Sequence, residues 1–320
     1  MKKILVTGAD GFVGRHLCLR LAHRGWDVHA AVRMGRTYRE LAAHATVHPV
    51  ADITGSAQWA PLLADTEAVV HLAARVHVMR ETTASAAAEY NHINTGGTAT
   101  LARAALQSGA TRFVFLSTVK VHGERTLSSP FAESAGPAPA DPYSASKRDA
   151  ERALAEITAG TRLAVTILRP PLVYGPGVKG NFPRLMNLVH RRIPLPFASV
   201  NNSRSFLYIG NLVSAIEQTL STPATGTNAF LVSDDHDLST PQLIRMIAAA
   251  MKIDARLLPC PLSILLALSR IAGKGGEMSR IVESLSIDCS RIKQQLHWTP
   301  PFTVEHGLED TVRWFLDTRN

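Results

Sequence analysis

The stretch DPYSASK (141–147) sets a phenol, Tyr143, and an ammonium, Lys147, four residues apart. Asp141 followed by Pro142 is a helix start: an acid able to cap, then proline at the first helical position. On that helix Tyr143 and Lys147 share one face. A free phenol ionises near pH 10, and a neighbouring cation lowers that value. A phenol so tuned gives a proton to, or takes one from, a carbinol oxygen while a hydride moves at its carbon. Upstream, FLSTVK (115–120) closes an apolar run with two hydroxyls, and Thr118 or Ser117 can hydrogen-bond the same oxygen. The bland alternative is a half-buried Tyr143 beside a solvated Lys147. The rest of the chain decides between the two.

A hydride needs a carrier. TGADGFVG (7–14) places Gly8, Gly11 and Gly14 between an apolar run and an amphipathic one. Gly8 allows a tight turn, Gly11 lets a pyrophosphate approach the backbone, and Gly14 lets helix pack close on strand. The helix that opens at Phe12 and Val13 turns its free N–H groups to the phosphates. A carboxylate at the end of the second strand would bind the ribose 2′-hydroxyl of NAD, whereas an arginine suits a 2′-phosphate. The chain reads AAVRMGR there, with Arg33 in place and Arg36 as a helper. That favours NADP(H) over NAD(H). No metal-ligand set accompanies it.

Elements must hold these groups together. KILVT (3–7), WDVHAAVR (26–33), TVHPV (46–50), AVVHLA (68–73), RFVFLS (112–117) and LAVTILRP (163–170) read as buried strands. Helical stretches such as 13–24, 96–108 and 142–158 lie between them. Strand alternating with helix predicts an α/β fold: a Rossmann-type doubly wound parallel sheet with helices on both faces. After Pro170 the texture turns rich in Pro and Gly. The expected division is a dinucleotide-binding domain over 1–170 plus 205–222, and a smaller C-terminal α/β lobe, taking substrate, over 171–204 plus 223–320.

The bulk properties agree. The 320 residues are 46% apolar and 19% charged, enough to bury a full core. Cys18, Cys260 and Cys289 show no paired spacing, which fits a reducing compartment. The start runs straight into a strand, without a signal-peptide pattern, so the expected location is cytoplasmic. The net charge of +8 is spread along the chain without a dense basic run. That points away from nucleic acid and toward a small anionic ligand. CPLSILLALSRIAG (260–273) is too short and interrupted to span a bilayer, and a buried lobe helix is expected there rather than a membrane or partner contact.

These motifs together resemble the extended short-chain dehydrogenase/reductases that act on nucleotide sugars, over almost the full length. TGADGFVG looks like the family's TGxxGxxG, YSASK matches YxxxK, and RPPLVYGPG (169–177) looks like its RP-x-x-x-YGPG block. The resemblance implies that Tyr143 is the acid/base, that Lys147 lowers its pKa and holds the nicotinamide ribose, and that Thr118 orients the substrate. It implies cofactor contacts at Asp52 and Ile53 beside the adenine, at Leu72, Ala73 and Ala74 along the cofactor, and at Ser117 and Pro170. Asn94 in NTGGT resembles a structural asparagine. Asn181 and Arg204 sit where the family binds the nucleotide diphosphate, as a cationic bidentate group should. Lys120 is a further substrate candidate, and Arg75 and His77 are candidates to face the cleft. His122 and Tyr208 are not read as catalytic.

Dehydratases of this superfamily carry an Asp-Glu pair after the catalytic threonine; this chain has Val119-Lys120, which argues against 4,6-dehydration. Arg33 favours a 4-ketoreductase consuming NADPH, and the resemblance to a bacterial subgroup implies reduction of a UDP-4-keto-6-deoxy-N-acetylhexosamine at C4 for surface polysaccharide such as the O-antigen of lipopolysaccharide. A UDP-hexose or UDP-N-acetylhexosamine 4-epimerase holding NAD is the alternative, and a non-catalytic NADP-binding scaffold a distant third. The resemblance also implies a homodimer through the 96–108 and 142–158 helices.

Overall fold

The computed structural model describes residues 2–35, 38–76, 83–271, 273 and 275–319. Its strands are β1 (Lys3–Thr7), β2 (Asp27–Arg33), β3 (Thr46–Val50), β4 (Thr66–His71), β5 (Arg112–Leu116), β6 (Ala164–Arg169), β7 (Leu172–Tyr174), β8 (Phe206–Tyr208) and β9 (Thr227–Leu231). Seven of them form one sheet in the order β3-β2-β1-β4-β5-β6-β9, every pairing parallel. The chain winds outward from β1 to β3, then returns to the other side of β1 at β4. Between the carboxyl ends of β1 and β4 lies the crevice where open α/β sheets take their ligands.

Period-two alternation sorts the side chains to two faces. Ile4, Val6 and Val114 join a core under the Phe12–His23 and Ile209–Ser221 helices, while Leu5, Phe113 and Phe115 join another under Gly97–Ser108 and Pro142–Thr158. Both faces are covered, so the strands read as continuous apolar runs rather than alternating ones. The first core runs on into the C-terminal lobe, from Ile4 to Phe315.

The stretch 206–208, placed from sequence with the dinucleotide-binding domain, pairs with β7 outside the seven-stranded sheet. The seventh strand is β9, from residues assigned to the lobe. Its sequence TNAFL is short and half-polar, and only Phe230 and Leu231 are buried. An edge strand of that kind carries too little periodicity to be read alone. Among the described residues no helix is long and apolar enough to cross a membrane.

Candidate active site

The glycine turn is built as its spacing requires. Gly8 lies at φ +66°, and a Cβ there would come within 2.7 Å of the Ala73 amide. A Cβ on Gly14 would meet the Gly8 carbonyl at 2.4 Å and Ala9 Cα at 2.5 Å, so only glycine lets the helix start this close to the strand end. Gly11 is the helix N-cap and carries no capping side chain, so the amides at the helix start keep donors for an anion. Leu72, Ala73 and Ala74 run on from β4 beside this turn, half-buried. This cradle, which a single Cβ would fill, fits a pyrophosphate.

Tyr143 and Lys147 stand on the first turns of the Pro142–Thr158 helix. Asp141 caps it: its carboxylate accepts from the Ser144 amide, and the Ser144 hydroxyl closes a reciprocal box. A buried polar relay then ties this helix to the glycine turn. The Thr98 hydroxyl donates to Asn94 O, so it accepts from His71 Nε2, and His71 Nδ1 accepts from Thr7 Oγ1 at 2.6 Å. Burial and the Lys147 charge hold the His71 pKa down to about 3, so the ring stays neutral. Asn94 Nδ2 donates to Ser146 Oγ and Arg75 O, and Asn94 Oδ1 accepts from the Arg75 amide. Ser146 Oγ in turn donates to the Tyr143 carbonyl. Asn94 sits in a wide π-helical turn, Asn91–Gly96, of the kind that concentrates at functional sites.

One expectation is corrected by the electrostatics. Lys147 was to lower the Tyr143 pKa. Burial, then the charge of Asp141, then Tyr90, instead push the phenol up to about 12. Lys147 is 2% exposed, and burial pulls its own pKa down to about 7, with Glu151 one turn on pulling it back up. Dry walls penalise both ions more than either gains from the other. Tyr143 therefore holds its proton at neutral pH. The lysine Nζ lies 4.0 Å from the centroid of the Phe115 ring and takes no hydrogen-bond acceptor among the described residues. A nearly buried cation with donors to spare fits ribose hydroxyls.

Beneath the lysine is a cluster that sequence reading missed. Arg169 binds Glu151 through Nε at 3.1 Å and Nη2 at 2.5 Å, with side chains only 14% and 8% exposed. The Ser117 hydroxyl also donates to Glu151, so it is committed here and not to a substrate oxygen. His122 receives Arg169 Nη1 on Nε2 and donates from Nδ1 to Ala135 O; burial and Arg169 lower its pKa. Thr118 stays off that carboxylate: it opens a short 3₁₀ turn and its hydroxyl accepts the Lys120 amide at 3.3 Å.

The remaining candidates scatter. Lys120 pairs with Glu124 at 2.9 Å and Asp141 at 3.0 Å. Arg204 is held between Leu238 and Leu285, donates to Glu283 O at 2.8 Å, and has its pKa lowered by burial and by Arg280 nearby. Arg280 in turn reaches Glu124 at 3.4 Å, and Glu124 also binds Lys120. Asn181 is exposed on the first turn of the Asn181–His190 helix, after Gly180 at φ +81°. Asp52 spends its carboxylate on the Thr54 amide and hydroxyl, while Ile53 packs on Gly97. Pro170 is buried and its carbonyl accepts the Val119 amide. Phe12 and Val13 are half-buried at the helix start, and Phe12 lies against Gly177. Arg33 is exposed at the end of β2. Arg36 and His77 lie outside the described residues. Tyr208 bonds Asp310 in the lobe core.

Comparison with known proteins agrees with this geometry. The profile of the NAD dependent epimerase/dehydratase family matches residues 4–232. The chain belongs to that family. A UDP-glucose 4-epimerase of Vibrio cholerae is 39% identical over 322 residues, spanning 100% of this chain and 97% of its own. The N-acetyl-alpha-D-glucosaminyl-diphospho-ditrans,octacis-undecaprenol 4-epimerase of Escherichia coli O157:H7 is 26% identical over 97% of this chain and 94% of its own. The structure of a UDP-glucuronic acid 4-epimerase of Bacillus cereus, in complex with NAD, superposes with a TM-score of 0.80 at 23% identity, covering 99% of this chain and 100% of that one. This protein is thus an enzyme of the nucleotide-sugar epimerase and oxidoreductase kind, with the family's parallel Rossmann sheet. The dinucleotide supplies a hydride acceptor and donor. The chain's own residues hold a proton at Tyr143 Oη, offer a cation at Lys147 Nζ, and present a hydroxyl at Thr118.

Proposed function

We propose that the enzyme is a UDP-hexose or UDP-N-acetylhexosamine 4-epimerase that keeps NAD bound. The observation that carries this is the pairing of Thr118, Tyr143 and Lys147 without an acid–base pair after the threonine, in a chain 39% identical throughout to a UDP-glucose 4-epimerase. Val119 there is 2% exposed and Lys120 is bound by two carboxylates, so neither removes a C5 proton nor protonates a leaving hydroxyl. The chemistry left is proton and hydride exchange at one carbinol. Lys147 and the glycine cradle hold the dinucleotide, Thr118 and Tyr143 hold the C4 oxygen, and Arg204 with Asn181 takes the diphosphate.

The choice of NAD over the expected NADP rests on the family, whose model is that of NAD dependent epimerases and dehydratases. The hollow of about 620 Å³ at the start of the first helix is lined by Arg15, Arg39 and Lys179 as well as by Asp10 and Glu40.

A second reading, the 4-ketoreductase, is favoured by Arg33 and by the protonated phenol, which is ready to donate rather than accept. The test separates them. Purified enzyme without added cofactor should convert UDP-galactose or UDP-N-acetylgalactosamine to its C4 epimer, followed by NMR. No epimer, with loss of 340-nm absorbance when NADPH and UDP-4-keto-6-deoxy-N-acetylglucosamine are supplied, overturns the epimerase in favour of the reductase.

A further inference from the structure

The Leu262–Ile271 helix has two apolar faces where a surface helix needs one. Leu265 and Ser269 are its buried side, at 5% and 6% exposure. Opposite them run Ile264, Ala267 and Ile271, at i, i+3 and i+7, all exposed, with Ile264 at 48% and Ile271 at 84%. Leu258 and Leu262, at the near end, are 52% and 42% exposed. Scattered exposed apolar residues need no explanation, but a row along one helix does.

The flanking chain is basic: Lys252, Arg256, Arg270 and Arg280 are all exposed, against an exposed Asp254. The next segment over adds Arg191, Arg192 and Ile193, all exposed. It is joined to Arg256–Leu258 through Leu195 N to Arg256 O at 2.8 Å and Leu258 N to Leu195 O at 2.9 Å. We propose that this face docks the enzyme on an anionic lipid bilayer, with the outward row of the Leu262–Ile271 helix lying in the interface. An apolar ridge rimmed by arginines on a chain of net charge +8 complements such a surface. A second copy does not fit: an isologous contact would set this cationic rim against itself. The helix is ten residues long, so it lies in the surface and does not cross it.

The Gly275–Val282 helix that follows carries Arg280, which reaches Glu124 beside Lys120. The proposal holds whichever C4 reaction the site performs.

The experiment is vesicle flotation at low salt, with vesicles of phosphatidylglycerol and phosphatidylethanolamine compared with phosphatidylcholine alone, and no sugar nucleotide present. Wild type should float with the anionic vesicles and not with phosphatidylcholine. Ile264→Ser/Ile271→Ser should weaken flotation by at least about tenfold, since the interface then loses the apolar area of both isoleucines. Arg256→Gln/Arg270→Gln should weaken it and blunt its dependence on phosphatidylglycerol. Ile271→Ser alone, at an 84% exposed position, keeps the test valid where a double variant fails to fold. Absence of flotation, or equal flotation by the serine variants, overturns the proposal. So does a concentration-dependent dimer in light scattering that the serine variants abolish without any vesicle binding.

Discussion

Replacing Lys147 by methionine should abolish turnover and make the fold more stable. Burial pulls this lysine from 10.5 down to about 7, with Glu151 the only cause working the other way. The sign follows from the proton count. Between pH 7 and 10.5 the unfolded chain binds a proton that the folded chain does not, so wild-type stability rises with pH through that window. Below pH 7 both states are protonated, and the folded state bears the full penalty of a buried cation. At about 1.4 kcal/mol per pH unit, that penalty is on the order of 5 kcal/mol. Methionine fills similar space without charge, and Glu151 keeps Arg169 and Ser117 as partners. With an unfolding entropy of about 2.1 cal/mol/K per residue, the gain raises Tm by roughly 7 °C at pH 6. It should shrink steadily toward pH 10 as wild type sheds its proton. Calorimetry of both proteins across that range is the assay. A Lys147→Met variant that is less stable at pH 6, or whose advantage does not fade with pH, refutes the reasoning: the lysine would then be a structural asset.

Other outcomes can be checked alongside. Glu151→Gln leaves Arg169 buried without its counter-charge and should cost about 3–5 kcal/mol in thermal or urea unfolding; it should also lower the apparent pKa of Lys147, moving the alkaline limb of kcat/KM to lower pH. That limb should lie near pH 7 in wild type, because the ammonium is lost there, and Lys147→Arg should flatten it. Thr118→Ala should lower kcat by about a hundredfold with nucleotide-sugar Kd little changed, measured by calorimetric titration and turnover. Gly14→Ala drives a Cβ to 2.4 Å from the Gly8 carbonyl; the purified protein should carry no dinucleotide, read by absorbance of a perchloric acid extract.

What the sequence determined by itself was what is local or periodic. The glycine turn needs only eight neighbouring residues and a strand before a helix, so Gly8, Gly11 and Gly14 were legible. Tyr143 and Lys147 share a helix by spacing, and the alternation of strands with helices dictates a parallel sheet. Tertiary structure decided the rest, because it depends on who lies beside whom and how dry the place is. Glu151 and Arg169 meet across 18 positions, and Arg169 and His122 across 47. No spacing rule links them. The sheet's seventh strand comes from the 227–231 stretch, whose sequence is too short and polar to announce itself. The sign of the Tyr143 shift followed suit: proximity to a lysine argued for a lower pKa, and only the packed site shows that burial outweighs it. Ser117 and Thr118 were indistinguishable as neighbours in sequence; a carboxylate at Glu151 takes the first hydroxyl and not the second.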